Sequence, residues 1–163
     1  MSIKYPLFWL LPVLALLATG CATRQPYDYT ALMERKPRSI LVMPPVNNTV
    51  EVNAPYVYLS TITRPLAEKG YYVFPVSVID NLMKQNGLPT PAEMNSIPLD
   101  KIDEIIGADA VLYVSIESWG QQYKVTTSAA VVSVTMKLVD VKTGAILWEG
   151  SGSAQQSSSD GGG

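Results

Sequence analysis

The sequence predicts an α+β domain, a mixed or antiparallel sheet with helices packed on one side, and three observations lead there. The order of periodicities reads β-α-β-α-α-β-β-β, with helical spacing gathered before Gly107 and strand patterns after it. The run Ser39 to Val46 is continuously apolar and ends on two prolines, as in a strand buried on both faces. Ala130, Val132, Val134, Met136 and Leu138 alternate with Val131, Ser133, Thr135 and Lys137, the pattern of a half-buried strand.

In chain order, Asp28 or Thr30 can cap a short helix that stops before Pro37, and Tyr27 and Tyr29 are placed to pack on the domain. Arg35, Lys36 and Arg38 form a small basic cluster, read mainly as solvated. After the Ser39–Val46 strand, Asn47-Asn48-Thr49 is a loop whose amides are expected to close it by hydrogen bonds. Asn53 to Lys69 follows as a helix, with Leu59, Ile62 and Leu66 at helical spacing, Pro65 inside it and Gly70 as its stop. Tyr71 to Val76 reads as a strand. Ser77 is the expected cap of the next helix, whose inner face is Ile79, Leu82 and Met83. Thr90-Pro91-Ala92-Glu93 is a capping signal: hydroxyl cap, proline at the first position, acid at the third. Pro98 to Ile106 is the last helix, with Leu99, Ile102, Ile105 and Ile106 inward, closed by Gly107. Ala110 to Trp119 is a strand. Asp140 to Gly144 is a turn held by Asp140 and Thr143, and Ala145 to Glu149 returns antiparallel. Ser151 to Gly163 holds only Ser, Gly, Ala, Gln and one Asp, so disorder is expected there. The final triple glycine fits a chain that continues beyond it.

Composition narrows the chemistry. The 163 residues suit one ordinary domain, and 47% apolar against 16% charged residues favours a packed core. Twelve bases against fourteen acids leave no basic surplus for nucleic acid. Histidine, the commonest general base and metal ligand, is absent, and a single cysteine excludes a multi-thiolate zinc site. No phosphate-binding glycine motif is present. Asp100, Asp103 and Glu104 share a helix face and are read as a solvated first turn that complements the helix dipole. Asp109, Glu117 and Glu149 are the carboxylates weighed for acid–base work, and nothing in the sequence sets them apart. The expectation is therefore no enzyme, no catalytic residue, no cofactor and no metal.

Residues Met1 to Gly20 differ from all that follows. Lys4 is their only charge, and Tyr5 to Leu17 is a nearly unbroken apolar run. It is shorter than the roughly 20 residues a helix needs to cross a bilayer core, but suits a signal peptide. The stretch Ala18-Thr19-Gly20-Cys21 resembles the bacterial lipobox. That resemblance implies cleavage after Gly20 and acylation of Cys21, including palmitate. Ala22 in second place then favours the inner leaflet of the outer membrane, facing the periplasm. The chain divides accordingly into a signal peptide (1–20), a lipidated tether (21–38), one α+β domain (39–150) and a disordered tail (151–163).

Three further stretches carry a family likeness. Ile40-Leu41-Val42-Met43-Pro44-Pro45-Val46-Asn47-Asn48-Thr49 resembles the opening strand and loop of periplasmic lipoproteins with the TolB N-terminal-like fold. Gly107-Ala108-Asp109-Ala110-Val111-Leu112 resembles their entry into a later strand. Leu138 to Trp148, around Asp140-Val141-Lys142-Thr143-Gly144, resembles their final hairpin. The whole is similar to a family of Neisseria-type periplasmic lipoproteins related to CsgG-like lipoproteins and to outer-membrane activators of penicillin-binding proteins.

The resemblance implies a non-enzymatic, membrane-held component of an envelope assembly or secretion complex, with a CsgG-like lipoprotein or other envelope proteins as partners. Two other readings stand beside it. A regulator of a cell-wall synthase would need reach, and residues 22–38 extend at most about 60 Å. A binder of a small ligand or carbohydrate would need an aromatic-lined groove, for which Tyr56, Tyr58, Tyr71, Tyr72, Tyr123, Trp119 and Trp148 are the available side chains.

Overall fold

The computed structural model describes residues 27–124 and 127–158. Among them one sheet carries β1 (Ser39–Val42), β2 (Val46–Asn47), β3 (Tyr72–Val73), β4 (Ala110–Lys124), β5 (Thr127–Asp140) and β6 (Ile146–Ser158). Its helices are α1 (Thr30–Arg35), α2 (Ala54–Glu68), α3 (Val76–Gln85), α4 (Pro91–Met94) and α5 (Leu99–Ile105). The spatial order is β3-β1-β4-β5-β6, with β2 pairing β4 off that path. β1 runs parallel to β3 and β4, β2 runs parallel to β4, and β4-β5-β6 is antiparallel. The α+β class and the mixed sheet are thus as the sequence predicts.

The helices, however, cover both faces rather than one. Ile40 and Val42 of β1 pack on one side with α2 residues Ala54, Tyr58 and Leu59, and with Ala31 and Leu32 of α1. Leu41 and Met43 point the other way, into Ile79 and Met83 of α3, Met94 of α4 and Ile102 of α5. All four side chains from Ile40 to Met43 are at most 1% exposed. The unbroken apolar run of β1 requires this arrangement, since a single helical layer would leave Leu41 and Met43 in water. Each such burial stabilises the fold by about 1.5–3 kcal/mol.

Local signals account for most element ends. Thr90 and Glu93 form the expected reciprocal capping box, and Gly144 takes the positive φ (71°) that its turn needs. Helix α2 runs through Pro65 and begins with a proline in its first turn, while the Asn53 side chain makes no capping bond. Ser77 lies inside α3 instead of capping it. Pro75 is extended, and its carbonyl accepts the first amides of the helix, from Val78 and Ile79. Ile105 is 67% exposed because the short α5 presents Leu99, Ile102 and Ile106 to the core and turns Ile105 outward. The Ser39–Val46 run divides at Pro44-Pro45 into two strands, and the Tyr71–Val76 strand shortens to two residues.

The largest departure is the tail. Residues 151–158, expected to be disordered, continue β6 in an unbroken ladder from Ser151 opposite Thr135 to Ser158 opposite Ser128. The entropy argument considered side-chain burial alone. Here backbone hydrogen bonds to β5 hold the segment, and its small residues leave room for neighbours: a Cβ on Gly152 would sit 3.8 Å from Val134. Residues 159–163 lie outside the described residues.

Candidate functional site

Asp109, Asp140, Glu117 and Glu104 hold structural hydrogen bonds or ion pairs. Asp109 Oδ2 accepts hydrogen bonds from the backbone N–H of Arg38 (2.8 Å) and Ser39 (3.0 Å), while the Asp109 N–H donates to Ser39 Oγ (3.0 Å). The bond from Arg38, with those from Ser39 and the nearby Lys142 charge, outweighs burial and holds the Asp109 carboxyl below its ordinary value of 3.8. Asp140 is buried, which pushes its pKa up. Bonds from the Thr143 hydroxyl (2.6 Å) and N–H (2.8 Å), helped by Arg35 at 3.9 Å, more than offset that and lower it. Glu117 sits at a bulge in β4 and accepts from Asn48 Nδ2 (3.1 Å) and Thr135 Oγ1 (3.3 Å). Glu104 pairs with Lys101 (2.7 Å). Asn47 closes its own loop, accepting from Thr49 and donating to the Glu51 carbonyl (2.8 Å). Among the described residues no group of three or more His, Cys, Asp or Glu is placed to hold a metal ion.

The structure instead builds a site where the N-terminal segment meets the sheet. Tyr27 lays its ring 6.4 Å from that of Trp148 and 5.0 Å from that of Tyr29, and the Glu149 N–H donates to Tyr27 Oη (2.9 Å). The Thr30 N–H donates to Asp28 Oδ1 (2.9 Å), which starts α1, and Lys36 ends it in the left-handed region (φ 47°). Residues 27–38, expected as tether, are therefore docked on the domain.

No residue of α1 is fully buried, and α1 and α2 do not close on each other over the sheet. Between them lies a cavity of about 460 Å³. Ile40, Leu112 and Leu138 form its buried floor, and α2 contributes Ile62 and Leu66 to its wall. Tyr71 and Trp148 bring aromatic surface, while the exposed Tyr29 and Lys69 stand at the rim. Cys21, the expected acylation site, lies outside the described residues, six positions before Tyr27.

Trp148 depends on a glycine that sequence reading passed over. A Cβ on Gly150 would come within 2.6 Å of the Trp148 ring, which folds back over that position. Gly150→Ala is expected to displace the indole from Tyr27, costing roughly 1–3 kcal/mol. The check is nuclear magnetic resonance: a shifted Trp148 indole signal, with α1 amides losing protection from exchange.

Comparison with known proteins follows the same geometry. The profile of the family described as "Putative lipoprotein GNA1162-like" matches residues 27–163. The chain belongs to this lipoprotein family. A lipoprotein of Neisseria meningitidis serogroup B (NMB1124/NMB1162) is 41% identical over 146 residues, 90% of this chain and 68% of that protein. The crystal structure of lipoprotein GNA1162 from Neisseria meningitidis superposes with a TM-score of 0.71 at 39% identity, covering 77% of this chain and 88% of that one. A PelC dodecamer subunit from Paraburkholderia phytofirmans shares the fold at 20% identity and a TM-score of 0.53, over 77% and 76% of the two chains.

In this GNA1162-like chain the aromatics split by role. Tyr58 is buried, with its hydroxyl 3.1 Å from Met136 Sδ and its pKa pushed up by burial. Tyr56 and Tyr72 are exposed. Tyr113 underlies the Lys137 ammonium at 5.8 Å, on an open trough that mixes polar Thr135 and Ser115 with apolar Met136 and Val139. Among the described aromatics, only Tyr29, Tyr71 and Trp148 converge on the apolar cavity.

Proposed function

We propose that this lipoprotein is held by acyl chains on Cys21 in the inner leaflet of the outer membrane, faces the periplasm, and serves as a non-enzymatic, protein-binding component of an envelope assembly or secretion complex. A CsgG-like lipoprotein is the partner this reading favours. The docking of Tyr27 on β6 carries it. With residues 27–38 folded onto the domain, only five residues lie between Cys21 and Tyr27, a span of at most roughly 20 Å. An anchor that short keeps the domain beside the bilayer, where confinement raises its effective concentration for other membrane-held proteins. It also disfavours a regulator that must reach far into the cell wall. Family membership supports the lipid anchor. The outer edge of β6 beyond Glu149, whose N–H Tyr27 takes, supports the binding role: β6 ends the sheet order, and a strand edge is a template for an added strand.

Palmitate feeding of cells expressing the full chain tests the anchor. Cys21→Ser is expected to lose the label and leave the membrane fraction, because two acyl chains already suffice for stable anchoring. Crosslinking of intact cells, read by mass spectrometry, is expected to join the wild-type chain to envelope proteins. An unlabelled wild type, or a Cys21→Ser protein that fractionates and crosslinks as wild type does, refutes the proposal.

A further inference from the structure

We infer that the cavity between α1 and α2 binds a long-chain fatty acid, with its hydrocarbon on the sheet and its carboxylate on Lys69. Volume, lining and charge meet in one place. A cavity of about 150 Å³ takes a benzene, so 460 Å³ takes on the order of eighteen carbons. Within the range of small-molecule pockets, that is the size of one acyl chain. The floor of Ile40, Leu112 and Leu138 is apolar, its side chains only 1%, 4% and 6% exposed, and it offers no hydrogen bond to a sugar or peptide. Lys69 is the one cation that the described residues bring to the lining. Among the described residues it has no ion pair or side-chain hydrogen bond, whereas Lys84 and Lys101 each pair with a neighbouring acid. An ammonium at the rim of an apolar slot fits an anionic head on a single hydrocarbon tail. Helix α1, which has no fully buried residue of its own, is the wall such a chain would complete.

The test uses the full chain in intact cells, fed a palmitate analogue with a photoreactive diazirine near its methyl end. Irradiation is expected to attach one free acid to peptides carrying Leu112 or Leu138. Leu66→Trp, which fills the slot, should abolish that adduct. Lys69→Gln should lower it about tenfold, with recovery in Lys69→Arg, because a charge-assisted bond is lost and then restored. Lys69 is exposed, so the glutamine variant leaves packing intact and keeps the test valid if Leu66→Trp fails to fold. Adducts indifferent to both substitutions overturn the inference. So does a crosslink joining the cavity to the Cys21 peptide, which would make the occupant the protein's own acyl chain. Stronger competition by lysophosphatidylglycerol than by palmitate would overturn the carboxylate assignment. None of these outcomes depends on the partner proposed above.

Discussion

Leu41→Ala is expected to remove about 2–5 kcal/mol of folding stability, the range for emptying a fully buried leucine site. Leu41 is 0% exposed and sits on β1, between the parallel neighbours β3 and β4, with Met43 and Val111 in the same cluster. The surrounding space cannot collapse easily, because α3, α4 and α5 rest on the same cluster and the strand is fixed on both sides. The measurement is a urea transition of the full chain: the midpoint falls while the slope, which follows exposed area, holds. Ile105→Ala is the control. That side chain is 67% exposed, and its loss should change stability by no more than about 0.5 kcal/mol. A Leu41→Ala variant that unfolds at the wild-type midpoint would mean that the face under α3–α5 is not packed, and the two-sided core would fail with it.

That result bears on what the sequence could reveal. The doubly apolar run at Ile40–Met43 already required cover on both faces, so the expectation of helices on one side conflicted with a pattern visible in the same residues. Features whose causes are local were legible: the Thr90–Glu93 capping box, the Asp140–Thr143 turn with Gly144, and the alternation of β5 from Val132 to Leu138, though Ala129 rather than Ala130 is buried at its start. The rest depends on partners far along the chain. Ser151–Ser158 has no side-chain signal for a strand, and only the facing backbone of β5 orders it. Asp109 looks like any surface acid until the fold brings Arg38 and Ser39 to it, some seventy residues away in sequence. The cavity has no motif at all. It is the gap left where α1 and α2 meet the sheet without meeting each other, and Lys69 gains meaning only from its place at that rim. Trp148 stood out as an aromatic, but the glycine that lets its ring lie flat carries no mark in the sequence.

Asp109→Ala is expected to cost roughly 1.5–3 kcal/mol, toward the lower end because solvent reaches the site. It strips two backbone donors of a charged acceptor, at the point where the N-terminal segment enters β1. The consequence is directional. The Arg38 carbonyl still accepts from the Tyr72 N–H (2.8 Å), but its own N–H is unlatched, so α1 should exchange its amides faster than α5. Asp109→Asn keeps an acceptor in place and should recover part of the loss. The same carboxylate sets an acid dependence. Its native pKa lies below 3.8, so in the window between the native and unfolded values the unfolded chain carries a proton that the native one does not. Stability from this group is therefore fully present above the ordinary carboxylate range and is lost as pH falls through the depressed native value. Asp140 is lowered as well and acts in the same sense. Urea midpoints measured from pH 6 down to about pH 3 should fall less steeply in Asp109→Asn than in wild type, since that variant has no proton to gain at this site. Equal slopes would show that the latch from Asp109 to Arg38 and Ser39 does not hold charge in solution, and would leave the Tyr27 contacts with Trp148 and Glu149 to dock the N-terminal segment.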